Sequence, residues 1–244
     1  MNRRRILASL GSHTPTAKDY VQDGLVAMWD GIENTGWGVH DPNATVWKNL
    51  VSSGDLRIGS NATVVENGVD VSDGRIASGS IVLPDTFSME SVSAHRSFPQ
   101  WRTFLMACIA GDYVGAKGFH FGLLGGKVCF SNPGYKTSGE ENYSEPLLNT
   151  NYALNTNQKY SLSCSFDSTD LIIYSGGDII GMRSGMIDMK KTSNFYIGRS
   201  DFIDWGSING TSFCTRLYNR ALTAAEVAAN CAVDKARFGL PDVT

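Results

Sequence analysis

The chain has 244 residues, enough for one large core. Its net charge is −3 and charged residues make up 18% of it, so it lacks the basic footprint of a nucleic-acid binder and the polybasic clusters that dock on anionic membranes. Cys108, Cys129, Cys164, Cys214 and Cys231 are widely spaced with no C-x-x-C pair, which argues against a zinc site or a disulfide framework and for free buried thiols.

The opening "MNRRRILASLGSHTPTAKDY" starts like an export signal, but its apolar run from Ile6 to Leu10 is too short for a signal core. No other run is long enough to span a bilayer. Residues 1–20 are read as a retained arm ahead of a single domain over 21–244. The arm is either a disordered tail or a docking peptide with Ile6, Leu7 and Leu10 buried in a partner.

Residues 24–29, "GLVAMW", read as a strand ended by Asp30-Gly31. A long polar loop with Trp37 and Trp47 follows. From Leu56 the chain becomes a series of short strands. "LRIGSNATVVENGVDV" carries an Asn67-Gly68 turn signal, and "SIVLP" and "TFSMESVSA" follow it. "RTFLMACIA" is apolar on both faces, as a central strand should be. "FHFGLLGGKVCF" and "LIIYSGGDIIGM" predict hairpins around Gly125-Gly126 and Gly176-Gly177. In "YSLSCSF", Tyr160, Leu162, Cys164 and Phe166 face one way and three serines the other. "SNFYIGRS" and "SFCTRLY" complete the strands. One helix is expected: Thr223 and Glu226 form a capping box, Leu222 and Val227 a staple, and Gly239 and Pro241 the stop. Many short strands with Gly/Asn/Asp turns and no βαβ unit indicate an all-β sandwich or barrel.

Four stretches carry a resemblance: "GLVAMWDG", "NQKYSLSCSFDSTDLIIYSGGDII", "NFYIGRS" and, most specifically, "INGTSFCTRLYNRALTAAEVAAN". Together they resemble the laminin G-like domains of the concanavalin A-like lectin/glucanase superfamily, over residues 24–238. The resemblance implies a two-sheet antiparallel jelly roll with one short C-terminal helix. Ser212 and Thr215 depart from the family pattern, where apolar residues are more usual. The loop from Asp30 to Lys48 is longer and more aromatic than the family's opening.

Glycoside hydrolysis needs two carboxyls flanking the scissile bond. No E-x-D-x-E run exists, Glu140-Glu141 are adjacent, and Glu66 and Asp70 flank a turn, so no enzyme is expected. His120, between Phe119 and Phe121, reads as a strand-surface or satisfied interior residue rather than a ligand. Sugar rings stack on aromatic faces, which makes the loop residues Trp37, His40, Tyr135, Tyr143 and Trp205 the ligand-binding candidates. The family resemblance admits calcium as the sole cofactor, with Asp30, Glu33 and Asp41 as oxygen donors, against ordinary loop solvation.

The expectation is a non-catalytic lectin-like adhesion module for a glycan or a surface protein, placed on a virion surface or outside the cell and cytoplasmic before release. The arm would bind other virion or assembly proteins. Nucleic acid and membrane insertion are not expected, and self-association into a homo-oligomer is compatible with this reading. The alternative is a purely structural virion decoration or fibre-associated protein with no ligand.

Overall fold

The computed structural model describes residues 14–98, 102–110, 117–131, 136–137, 140–141, 147–185, 193–198 and 208–242. In chain order the strands are β1 (Leu25–Asp30), β2 (Val46–Trp47), β3 (Leu56–Ile58), β4 (Ala62–Val65), β5 (Gly68–Ser80), β6 (Phe87–His95), β7 (Arg102–Ala110), β8 (Lys117–Leu124) and β9 (Lys127–Ser131). They continue as β10 (Lys136–Thr137), β11 (Glu140–Glu141), β12 (Leu148–Ala153), β13 (Lys159–Phe166), β14 (Leu171–Ser175), β15 (Asp178–Arg183), β16 (Asn194–Gly198) and β17 (Ile208–Tyr218). One helix, α1 (Ala224–Phe238), follows.

Two antiparallel sheets face each other. The first runs β15-β14-β13-β6-β17, with β1, β4 and the first part of β5 at its far edge. The second runs β12-β9-β8-β7-β16, then the last part of β5, β3 and β2. The β5 strand belongs to both. Gly74 pairs Ile208 in the first sheet and Arg75 pairs Gly198 in the second. The change of sheet falls at Gly74, whose φ of 141° a side chain would resist.

The expected glycine turns form. Gly125 and Gly126 have φ of 56° and 79°, and Gly176 and Gly177 have φ of 60° and 89°, the left-handed values a two-residue hairpin requires. The first hairpin turn is shifted: Val65 pairs Gly68, so Glu66 and Asn67 make the bend. "SIVLP" is not a strand of its own, because Ser80 ends β5 and residues 81–84 run irregularly.

The core between the sheets is aromatic. Trp29 stacks on Phe195 at 5.2 Å and Phe87 on Phe119 at 5.0 Å, each pair joining one sheet to the other. Polar residues interrupt it. Ser212 and Thr215, the departures from the family pattern, are buried, and neither hydroxyl has a partner among the described residues. Ser93 pairs Ser212, and its hydroxyl lies 3.2 Å from His95 Nε2. Burial pushes the His95 pKa down to about 4, because the interior disfavours the imidazolium.

A second apolar cluster lies outside the first sheet, where α1 and the chain from Ala17 to Tyr20 pack. The capping box forms, with the Thr223 hydroxyl accepting from Glu226 N–H and the Glu226 carboxylate accepting from Thr223 N–H at 2.8 Å. Gly239 closes the helix in the left-handed region. Leu222 and Val227 are buried as staple partners. Ala17 and Tyr20 are buried as well, so the arm expected over residues 1–20 is already part of the domain at Ala17.

The alternation expected in β13 holds, and its serine face, Ser161, Ser163 and Ser165, is buried beneath α1. They share that space with a buried ionic network. Arg216 donates to both carboxylate oxygens of Asp234, at 2.6 and 2.8 Å, and to Glu90 at 2.8 Å. Asp234 also accepts from Tyr20 Oη and Ser161 Oγ. Asn230 donates to Glu90 and to Tyr218 Oη, and accepts from Val21 N–H. Burial raises the Glu90 pKa against the opposing pull of Arg216.

Asp234→Ala strands a buried guanidinium and should cost about 3–5 kcal/mol, read from the urea midpoint; a loss under about 1 kcal/mol would show that α1 is held by apolar contacts alone. His95 has a folded pKa below its unfolded value, so its contribution is full above pH 6.5 and is lost as pH falls toward 4. Wild type should therefore lose about 3 kcal/mol more than His95→Gln between pH 6.5 and 4. Parallel profiles for the two proteins would place His95 in contact with water.

Candidate functional site

Trp37 stands at the tip of a tight turn. Val39 N–H donates to Gly36 C=O at 2.9 Å, and Thr35 N–H donates to Val39 C=O. The indole is 40% exposed, with Lys18 Nζ 5.4 Å from its ring centroid. His40 is exposed too, its Nδ1 3.0 Å from Gly31 C=O. The structure thus brings Trp37 and His40 into one loop. Tyr135, Tyr143 and Trp205 lie outside the described residues, as do Ile6, Leu7 and Leu10.

The carboxylates proposed for calcium are used otherwise. Arg237 donates to Asp30 at 2.5 Å and to Glu33 at 3.2 Å, and Asp30 is fully buried. Burial acts to lower the Arg237 pKa, but the Asp30 carboxylate beside it more than offsets this and holds it above the ordinary value. Glu33 also accepts from Ala17 and Gly38 N–H, and Asp41 accepts from Asn43 N–H. These are helix- and turn-fastening contacts. Among the described residues no group of three His, Cys, Asp or Glu side chains is placed to hold a metal.

A different set of residues is assembled by register on the outer face of the second sheet. Val46 pairs Arg57, Arg57 pairs Ser78, and Ser78 pairs Tyr196. Tyr196 pairs Ala107, Ala107 pairs His120, and His120 pairs Ser131. Directly paired residues of an antiparallel sheet share a face, so these seven form one row across β2, β3, β5, β16, β7, β8 and β9. The core residues Ile58, Ala77 and Ile197, and likewise Cys108, Phe119 and Phe121, point the other way.

The row changes along its length. Val46 and Arg57 are exposed and Ser78 is half-buried. Tyr196 is 5% exposed, and His120 and Ser131 are buried. At the open end lies a groove of about 860 Å³ lined by Thr45, Val46, Arg57, Ser60, Arg75 and Ser78. That size falls within the roughly 300–1,000 Å³ usual for small-ligand sites. A hollow of about 190 Å³ between β13, β14 and the end of α1 falls below it. Gly59 keeps the groove's strands close, since a Cβ there would sit 2.2 Å from Arg75 C=O.

Such a surface is equipped to hold a polar, hydroxyl-bearing ligand. Hydroxyls donate and accept and guanidiniums donate in a fixed fork, while Tyr196, His120 and Ser131 are buried and stand behind this open end rather than in it. Sequence reasoning missed this row. His120 was weighed alone, and Arg57, Ser78 and Tyr196 lie 21, 118 and 139 positions apart from one another in ways that only the register reveals.

A laminin G-type family model, described as the concanavalin A-like lectin/glucanases superfamily, matches residues 72–228. A sequence comparison with curated proteins finds no match. Among solved structures, the chain is similar to Trypanosoma rangeli sialidase in complex with sialic acid, at 16% identity and a TM-score of 0.63, covering 93% of this chain and 34% of that one. It is similar to a mutant of that sialidase displaying trans-sialidase activity, at 17% identity and a TM-score of 0.65, covering 95% and 35%. It is also similar to the binding domain of botulinum neurotoxin serotype G, at 12% identity and a TM-score of 0.52, covering 75% and 47%. The chain spans about a third of the length of these sialidases and about half of the neurotoxin domain.

The sialidase matches correct the expectation that the chain is not an enzyme: the missing E-x-D-x-E run does not set it apart from a fold whose solved examples include glycosidases. At these identities the likeness shows the fold alone. The two-sheet sandwich, its closing strand and capped helix, and a family match over more than half the chain lead to one conclusion: this protein belongs to the laminin G-like domains of the concanavalin A-like lectin/glucanase superfamily.

Proposed function

We propose that the domain recognises glycans, or a glycan-bearing surface component, through the outer face of its second sheet. The observation that carries this reading is the open end of the row, Val46, Arg57 and Ser78, lining a groove of ligand size. Glycans present alternating hydroxyls and apolar ring faces. The groove supplies hydroxyl and guanidinium groups beside the apolar side chains of Ala44, Val46 and Ala62 on one surface. The other outer face is filled by α1 and cannot serve.

The similar solved structures support the reading by their names, which include a sialidase bound to sialic acid and a toxin binding domain. Trp37 and His40 belong to the same proposal as a second contact, since the chain leads from them to the groove's lip at Ala44–Val46. Display on a virion or another extracellular surface is the setting this proposal calls for, because there the domain would meet surface glycans.

Binding to an immobilised glycan panel tests it. Ser60 is exposed at the groove, so Ser60→Trp should fill the groove without unfolding the domain and weaken glycan binding at least about tenfold. Trp37→Ala should weaken it less. Loss of binding in Trp37→Ala with full binding in Ser60→Trp would move the site to the loop and refute this assignment.

A further inference from the structure

The wall of the groove is apolar as well as polar, and register sets the two chemistries side by side. Val46 pairs Arg57 and Arg57 pairs Ser78, so an isopropyl group, a guanidinium and a hydroxyl are neighbours on the outer face. Val46 is 36% exposed. Ala44 and Ala62 line the same groove and pack against the core from behind, which holds their methyl groups in place. Thr45 and Ser60 add exposed hydroxyls to the lining.

A β-branched side chain such as Val46 is stiff about χ1, so it offers a fixed apolar contact at little entropic cost. Sugars differ in the apolar contact they bring. An unsubstituted ring brings the flat face of its C–H groups, and a planar aromatic ring matches that face best. Val46, Ala44 and Ala62 present methyl-sized knobs, and these match a methyl group.

We propose, building on the glycan reading, that the groove selects sugars carrying an acetamido group. That substituent joins a methyl, a carbonyl acceptor and an N–H donor in one planar unit, and the wall offers a partner to each. The methyl packs on Val46 with Ala44 and Ala62. The carbonyl accepts from the Arg57 guanidinium, and the N–H donates to Ser78 Oγ. Thr45 and Ser60 serve the ring hydroxyls. The acetamido group is neutral, so the pairing uses the N–H donors of Arg57 and asks for no unmet charge.

Binding of the full chain to matched saccharides, each carried on the same polymer, tests this. The members of a pair differ at one carbon, where a hydroxyl is replaced by an acetamido group: glucose and N-acetylglucosamine, galactose and N-acetylgalactosamine, mannose and N-acetylmannosamine. In at least one pair the acetamido sugar should bind about tenfold or more tightly, and the preference should persist at high salt. Val46→Ser and Arg57→Ala should each cut that preference at least about threefold. Thermal melting confirms that each variant is folded. If the plain sugars bind as tightly as their acetamido partners and Ser60→Trp abolishes that binding, the acetamido assignment is wrong and the glycan reading survives. Tightest binding to glucosamine, whose amine lacks the acetyl group, or to fucose, whose methyl lacks the amide, overturns it as well. A preference untouched by both Val46→Ser and Arg57→Ala places acetamido recognition elsewhere and refutes this assignment. If none of these saccharides and no member of the glycan panel binds, both readings fall.

Discussion

The fold depends on a guanidinium that has no route to water. Arg216 is 1% exposed, and its charge is met by Glu90 on a neighbouring strand and Asp234 on α1. Desolvating three ions is expensive, and such a cluster persists only when every donor and acceptor is matched. Here the matching reaches further than the ions. The Tyr20 ring lies 3.9 Å from the Arg216 guanidinium carbon and its hydroxyl donates to Asp234, while Asn230 and Ser161 complete the carboxylate shells. One cluster therefore fixes α1, β6, β13, β17 and the segment before β1 relative to each other. A helix held by apolar contacts alone could slide on the sheet; a bidentate ion pair permits one register.

That constraint divides the two outer faces. On the first sheet Glu90, Ser161, Ser165 and Arg216 point toward the helix, so these polar and charged groups are structural. On the second sheet the outward residues at the β2–β3–β5 end, Val46, Arg57 and Ser78, are released from that task. Arg57, Ser78 and Tyr196 are polar and share a face that, among the described residues, no helix covers, and Arg57 and Ser78 at its open end reach solvent. The Trp37 loop illustrates the same division on a smaller scale. Its carboxylates, Asp30 and Glu33, are turned inward toward Arg237 from the far end of α1. The stretch from Trp37 to His40 faces outward.

The sequence reveals what neighbours along the chain decide. The capping box, the staple and the two glycine hairpins are each contained in a few residues, and all are found where expected. Alternation in β13 correctly assigns residues to two faces, but period-two spacing carries no information on what covers either face. That the serine side lies beneath α1 is visible only in the fold. Asp30 and Glu33 resembled a cation loop because their partner, Arg237, is more than 200 residues away. The polar row is the extreme case. It is written across seven strands, and one residue of register slip on any of them would erase it.

The N-terminal segment and the end of the helix share one cluster: Ala17, Tyr20, Phe238 and Leu240 pack together on the outside of the first sheet. The groove opens on the opposite side of the sandwich. A scaffold, particle or further domain joined at either end of this unit would grip it from behind and leave the groove looking outward. Many copies arrayed side by side in that orientation would all turn the same face outward.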